Sequence, residues 1–471
     1  MSKSYQQRDN SGYLSEDTVT AISTGMGGAI AIIRISGPEA RKIFGRISMN
    51  NTLLEEAKRA YRTRLYSDNG KTLDDVVVLP FFLPNSFTGE DVIELHCHGG
   101  AYTAGRILEE VIKNGARQAL PGEFSFRAVR NGKMNLGQAE AVRDLIEAKN
   151  DHAVEFALER MSGFQNKTCL AIRDELRNLC AFSELGIDFS DQDVDELSLD
   201  RLKARADKVI KELRLLLETF DRGQAIQEGV SVAIVGLPNA GKSSFFNSLC
   251  GEERSIVSDQ PGTTRDVIRE SVTLNGEQGS ITFRFEDTAG FRDSTDVVEA
   301  MGVQRTREAA RRARLIVLVV DPAADLAGLK AFWDSLEKPG QRTLGVLSKK
   351  DRYEPEVLER FLEKVEDLGV QNWICTSALS GEGISAVAQE MVRRAGRWTV
   401  RETGELVLTR QEQVGAVQCG LDNLEQAMSA HEQDLFAADV RHALAALAPL
   451  IGDTVPDDIL GKIFAEFCIG K

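Results

Sequence analysis

The residues Gly236-Leu237-Pro238-Asn239-Ala240-Gly241-Lys242-Ser243 combine what a bound phosphate asks of a protein: two glycines, a lysine and a hydroxyl at fixed spacing. Gly236 and Gly241 let backbone N–H groups turn inward around an anion, where a Cβ would obstruct them. Lys242 places a point charge on the outer phosphates and Ser243 can ligate Mg²⁺. A helix starting there directs its positive end at the anion. Asn239, Ala240 and Ser244 complete the stretch that would touch a nucleotide. A β-branched run, Val230 to Val235, precedes the loop, and an apolar-rich helical pattern follows to Leu249. Strand, glycine loop and helix N-terminus therefore succeed one another as a phosphate-binding loop requires; a glycine turn without ligand is the bland alternative.

Further residues with nucleotide chemistry follow in order. Ile281, Phe283 and Phe285 alternate into Asp287-Thr288-Ala289-Gly290. An Asp at such a strand end can hold Mg²⁺ through water, and the glycine N–H can meet a terminal phosphate. Thr264, in the loop Gly262-Thr263-Thr264-Arg265-Asp266, is the natural second Mg²⁺ hydroxyl, in a loop that can order around a γ-phosphate. The buried-type strand Thr343 to Leu347 runs into Ser348-Lys349-Lys350-Asp351. A carboxylate at Asp351 can accept both the N1–H and the exocyclic amino protons of guanine, which adenine does not offer. Trp373 to Thr376 leads to Ser377-Ala378-Leu379, where a backbone N–H can meet the guanine oxygen. Each motif alone is weak. Their order at strand ends predicts a GTP site.

The positioning elements divide the chain. Strand patterns alternate with helices between Val230 and Gly396, as a doubly wound sheet needs. Before it, Thr18 to Ile22, Ala29 to Ile35, Tyr61 to Tyr66, Thr72 to Leu79 and Val92 to His98 read as strands. Asp68-Asn69-Gly70 makes a hairpin turn, and Ser36-Gly37-Pro38-Glu39 opens a helix capped by Ser36. On Val92 to His98, Ile93, Leu95 and Cys97 share one face and Glu94, His96 and His98 the other, so that second face lines a pocket, is a polar sheet face, or holds a metal. Residues 123–185 and 198–228 are helical, with a break at Gly186 to Asp191. One stripe runs through Leu202, Val209, Leu213, Leu216 and Phe220, and another through Leu444, Leu447 and Ile451. The expected organisation is an α+β domain over residues 1–122, a helical domain over 123–228 and 397–471, and a nucleotide-binding domain over 229–396 inserted between its halves.

Composition sets the bounds. At 471 residues, 42% hydrophobic and 27% charged, the chain is an ordinary multidomain globular protein. A net charge of −15 argues against nucleic-acid binding over the whole surface. Seven cysteines without a CxxC pair suit a reducing cytosol, and no apolar run reaches membrane-spanning length, so a cytoplasmic protein without a membrane partner is expected. Arg305, Arg307, Arg311, Arg312 and Arg314 form either an RNA face or the exposed side of a helix. Cys468 is either a catalytic thiol or a small buried hydrophobe.

These motifs, with Gly28 to Gly37, PNSFTGEDVIELHCHGG, PGEFSFRAVRNGK, LGQAEAVRDLIEA and the terminal FCIGK, resemble the MnmE (TrmE) family of tRNA-modification GTPases over nearly the whole chain. The resemblance implies an N-terminal folate-binding and dimerisation domain, a discontinuous helical domain and an inserted Ras-like P-loop GTPase domain. It further implies a homodimer that works with the flavoprotein MnmG (GidA) in a heterotetramer-type complex. The activity implied is addition of a carboxymethylaminomethyl group at C5 of the wobble uridine of certain tRNAs. The one-carbon unit would come from 5-formyl- or 5,10-methylene-tetrahydrofolate. Folate contacts then fall on Arg34, Glu94, Lys133 and Lys471. From residue type alone, Arg34 and Lys133 would pass for solvated charges.

Phe291 follows Asp287-Thr288-Ala289-Gly290, where a Ras-like GTPase keeps its water-positioning glutamine. The resemblance supplies Glu299 for that role. It also supplies a K⁺ ion held by Asn239 and the loop Ser258 to Thr263, Gln260 included, largely through backbone carbonyls. Glu299 on residue type alone is equally a solvated helix residue. One position departs from the family pattern: Ser348 stands where Asn-Lys-x-Asp has asparagine. A hydroxyl makes fewer hydrogen bonds than an amide, so weaker nucleotide affinity is expected. Two other functions remain open on sequence: a ribosome-assembly RNA-binding GTPase, and a folate-dependent transferase that GTP merely regulates.

Overall fold

The structure is a computed structural model that describes residues 13, 15–25, 27–49, 54–162, 167–188, 198–252, 270–276, 279–285, 299–337, 340–399, 405–451, 460–461, 464–465, 467 and 470. The chain forms two compact units, one of residues 1–143, 160–163 and 448–471, the other of residues 144–159 and 164–447.

In the first unit, β1 (Val19–Ile22), β2 (Ile30–Ser36), β3 (Tyr61–Tyr66), β4 (Thr72–Phe81), β5 (Val92–His98) and β6 (Arg117–Gln118) form one sheet in the order β3-β4-β5-β2-β1-β6. All neighbours are antiparallel except β1 and β6. The period-two alternation decides the faces. Ile33, Ile35, Ile93, Leu95 and Cys97 are buried in one core with Ile43, Phe44 and Ile47 of the helix Ala40–Ser48 and Ile107 and Val111 of the helix Ala101–Lys113. The register sets Arg34 opposite Glu94 and Ile32 opposite His96, which brings Arg34, Glu94 and His96 onto the other face. At β1, Val19 and Ala21 pack under Phe124 and Phe87.

Ser36 does not cap a helix. It is the last residue of β2, and its hydroxyl reaches Thr88 Oγ1 at 2.8 Å and donates to Glu90 Oε2 at 2.7 Å. The helix begins only at Ala40, because Gly37 at φ 133° first turns the chain away from the sheet. Buried charges fasten the loop carrying Phe87 to the helix Glu123–Arg130 that carries Phe124. Arg127 donates to Glu90, Glu123 and Asp17, and Arg117 donates to Glu123 and Asp17. Burial pushes Asp17 up, but hydrogen bonds from Arg117 and Ser15 outweigh it and hold the carboxyl at about 2.

In the second unit, β7 (Val230–Val235), β8 (Glu270–Gly276), β9 (Gly279–Phe285), β10 (Leu315–Val320), β11 (Thr343–Leu347) and β12 (Trp373–Cys375) lie in the order β12-β11-β10-β7-β9-β8, parallel except for the edge strand β8. β7 and β10 are buried at every residue, as the unbroken apolar runs of parallel strands covered on both faces require. One face packs on Phe245, Phe246 and Leu249 of the helix Lys242–Glu252, and the other on Trp333 and Phe361. Strand order reverses at β7, with β9 on one side and β10 on the other. The loop after β7 therefore leaves the sheet at the switch point, where open α/β sheets bind ligands.

The helical part of this unit buries Leu202, Val209, Leu213 and Leu216 of the helix Leu199–Glu218, which packs against the helix Gln411–Ser429. Elements from either side of the sheet segment in sequence thus share one helical core. Two helix boundaries differ from the sequence reading. The helix Lys167–Asp188 runs through Gly186, since one glycine costs a long helix only about 1 kcal/mol. A separate helix, Phe220–Glu228, starts at Phe220 after Thr219 donates its hydroxyl back to the Leu216 carbonyl. The segment Lys149-Asn150-Asp151 is tied to the hairpin of β8 and β9. Asp151 accepts from the Ser280 N–H at 2.9 Å, Asn150 donates to Thr282 Oγ1 at 3.3 Å, and Thr282 donates to the Lys149 carbonyl at 3.3 Å. Among the described residues, no helix is long and apolar enough to cross a membrane.

Candidate functional site

The loop from Gly236 to Gly241 joins the end of β7 to the helix Lys242–Glu252. Gly236 sits at φ 154°, and a Cβ there would lie 2.2 Å from the Val319 carbonyl oxygen at the end of β10. Glycine is thus required both by conformation and by close backbone approach. Lys242 Nζ donates to the carbonyls of Gly236 at 3.0 Å and Leu237 at 2.9 Å, so the ammonium is held across the mouth of the loop. Burial lowers its pKa, the expected effect of removing a cation from water. Ala240 is buried, while Asn239 and Ser244 are exposed.

The segment after β11 is strapped directly to this loop. Ser348 Oγ donates to the Ala240 carbonyl at 2.6 Å, with the Val320 carbonyl at 3.2 Å, and its N–H donates to Val320 at 2.8 Å. Lys349 Nζ donates to the Asn239 carbonyl at 3.0 Å and to Asp321 Oδ2 at 2.6 Å. Asn239 and Lys349 both take left-handed backbone conformations, φ 59° and 57°, which side-chain-bearing residues rarely adopt. The Lys349 bond joins the two strained residues. Asp321 also accepts from the Tyr353 hydroxyl at 2.6 Å. Burial would raise the Asp321 pKa, but its bonds from Lys349 and Tyr353 bring it below the ordinary value.

The other end of the candidate site is built from the next turn and from the segment after β12. Asp351 is exposed and accepts from the Ser377 hydroxyl at 2.6 Å, which lowers its pKa and keeps it an anion. Ser377 is fully buried, so one carboxylate oxygen is fixed from behind. Ser248 donates to the Ala378 carbonyl at 2.9 Å, tying this segment to the helix that follows the phosphate loop. Leu379 stands 89% exposed beside it. The arrangement therefore joins a phosphate-binding loop to an anionic acceptor with an apolar residue at hand, which is what a purine nucleotide requires.

Asp321 and Tyr353 were not anticipated from the sequence. The signal for Asp321 was present, since it directly follows the wholly apolar β10 at the end where ligands bind. Ser258, Gln260, Thr263, Thr264, Asp287, Thr288, Ala289, Gly290, Cys468 and Lys471 lie outside the described residues, as do the side chains of Glu299 and Arg305. Arg307, Arg311 and Arg312 are exposed. Arg314 instead is paired with Asp221 at 3.3 Å, away from a common helix face.

On the first unit, Arg34 Nε and Nη2 both donate to Glu94 Oε1, at 3.0 and 2.8 Å, which leaves Oε2 to other partners. The guanidinium lies 5.5 Å from the Phe87 ring centroid and 5.4 Å from that of Phe124. His96 Nε2 is buried without a hydrogen-bond partner, 3.6 Å from Glu94 Oε2 and beyond hydrogen-bond reach. Lys133 Nζ donates to the Pro84 carbonyl at 2.9 Å, on the loop that carries Phe87. His98 turns to Asp74 at 2.7 Å, and no group of three potential metal ligands occurs among the described residues.

The profile of the MnmE helical domain matches residues 136–468, and that of the GTP-binding protein TrmE N-terminus matches residues 18–133. The chain belongs to the MnmE family. A tRNA modification GTPase MnmE of Clostridioides difficile is 38% identical over 97% of this chain and 99% of its own length. That of Desulfitobacterium hafniense is 37% identical over 97% of this chain and 100% of its own. Among solved structures, the G domain of the T. maritima FeoB iron transporter is 23% identical, covers 36% of this chain and 99% of its own, and gives a TM-score of 0.26, too low to add to the fold argument. As a member of the MnmE family, the chain combines an N-terminal α+β domain, a helical domain and a P-loop G domain.

Proposed function

We propose that the chain is a K⁺-activated GTP hydrolase that acts, as a homodimer with an MnmG-type flavoprotein, in carboxymethylaminomethylation of the wobble uridine of certain tRNAs in the cytosol. The observation that carries the nucleotide part is the strap joining Ala240 and Asn239 to Ser348 and Lys349, because it sets an anionic base acceptor, Asp351, at a fixed place relative to the phosphate loop. Lys242 and the loop amides bind the phosphates, Ser243 with Thr264 would hold Mg²⁺, and Asp351 and Ala378 orient guanine. Glu299, first residue of the helix Glu299–Arg312, would orient the attacking water. A K⁺ ion on Asn239, Ser258, Gln260 and Thr263 would supply positive charge where the leaving phosphate develops negative charge. We take residues 229–396 as the G domain, 1–122 as the folate domain, and 123–228 with 397–471 as the helical domain.

The Lys149–Asp151 junction supports transmission of nucleotide state to the helices, since the hairpin it grips ends at Phe285, two residues before Asp287. GTP hydrolysis should be about tenfold or more faster in K⁺ than in Na⁺ at equal ionic strength, a modest share of what charge stabilisation delivers in a closed site. Equal rates would remove the ion from the mechanism.

The folate reading rests on Glu94 and His96. Glu94 Oε2 is an acceptor for the amino-pyrimidine edge of a pterin, His96 Nε2 is buried and unpartnered, and the partly exposed Phe87 offers an apolar ring face. Lys133 and Lys471 suit the anionic glutamate tail. Glu94→Gln should weaken binding of 5-formyltetrahydrofolate by about 10- to 100-fold, the usual loss for a hydrogen bond to a charged acceptor. Calorimetric titration reads this, and an unchanged Kd would exclude Glu94 as the pterin acceptor.

A further inference from the structure

We infer that this site binds guanine nucleotides without reading N7 of the base, because the one proton of Ser348 is committed to the phosphate loop. The inference rests on the guanine reading of Asp351 and refines it. Guanine offers two acceptors on its outer edge, O6 and N7, besides the N1–H and amino donors that Asp351 takes. On that reading O6 would be met by backbone N–H near Ala378, and N7 would fall to the residue that opens the Ser348-Lys349-Lys350-Asp351 segment. An asparagine there has two amide protons, enough to hold a loop carbonyl and a base nitrogen together. Serine has one. In this chain Ser348 Oγ lies 2.6 Å from the Ala240 oxygen and 3.2 Å from the Val320 oxygen, and either carbonyl takes that proton. The side chain is only 5% exposed and sits against Gly241, where a Cβ would be 3.5 Å from both Ser348 Cβ and Oγ. The hydroxyl is thus a brace for the phosphate loop and presents no donor to the base. The serine keeps the strap and gives up the contact.

The decisive comparison is between GDP and 7-deaza-GDP, in which C7–H replaces N7, with dissociation constants measured on the full chain and two variants. The wild type should bind the two within about twofold of each other, since no hydrogen bond distinguishes them. Ser348→Asn should tighten GDP by about 3- to 10-fold, the yield of one added hydrogen bond, and leave 7-deaza-GDP unchanged. Ser348→Ala should weaken both alike and keep their ratio near one. A wild type that already prefers GDP to 7-deaza-GDP by fivefold or more would overturn the inference, because a donor, an ordered water included, would then be reading N7. A Ser348→Asn variant that gains on both ligands equally would also overturn it. If the wild type binds ADP as tightly as GDP, the guanine reading itself fails and takes this inference with it.

Discussion

Asp351→Asn is expected to turn the guanine site into a xanthine site. On the proposed reading the carboxylate would accept two hydrogen bonds from guanine, from N1–H and one amino hydrogen, while the Ser377 hydroxyl holds its Oδ1. An amide keeps one acceptor and puts N–H hydrogens where the second acceptor was, so the guanine amino group meets another donor. Xanthine carries a carbonyl at that position and accepts from the amide instead. GTP affinity should fall on the order of 10²–10⁴-fold, while XTP should bind the variant more tightly than GTP. Competition between XTP and GTP for a fluorescent nucleotide reads both quantities. Retention of guanine preference would mean that Asp351 does not contact the base. Because Asp351 is exposed and, among the described residues, its side chain is hydrogen-bonded to Ser377 alone, the variant should fold normally, and the change should lie in recognition.

Lys242→Ala should abolish turnover while leaving the sheet intact. Lys242 Nζ is anchored on two carbonyls of its own loop and brings a positive charge to the place where the phosphates are proposed to bind. Without it the loop amides remain but the outer phosphates lose their counter-charge. GTP hydrolysis should fall by about 10²-fold or more, the scale for losing one preorganised donor at a developing charge. Circular dichroism of the variant should match the wild type, because the β7 and helix cores around the loop are apolar and do not include Lys242. Turnover within a few-fold of wild type would show that the phosphates lie elsewhere.

The phosphate loop was legible because its chemistry is local: strand, glycines, lysine and hydroxyl lie within some twenty consecutive residues, and backbone geometry follows from them. Five of the six strands of the first sheet were legible from their β-branched runs, alternation and turns, while the two-residue β6 is too short to leave a pattern. The Arg34–Glu94 pairing appears only once β2 and β5 are set side by side, because register is not written in either strand alone. The clamp of Asp321, Tyr353 and Lys349 has the same character. Its three residues are separated in sequence, and parallel strand order brings them to one edge. Ser348 could be seen as a departure from sequence, but its consequence depends on a distance to Ala240 that no pattern supplies. Ser36 misled because Ser-Gly-Pro-Glu is good cap chemistry; tertiary contacts to Thr88 and Glu90 outcompeted the local motif.

The most direct test of the account is nucleoside analysis of tRNA from a strain in which this chain is deleted, then restored as wild type or as Lys242→Ala. The carboxymethylaminomethyl group at the wobble uridine should disappear on deletion, return with the wild type and stay absent with Lys242→Ala. Normal modification in the deletion strain, or full restoration by Lys242→Ala, would contradict the account.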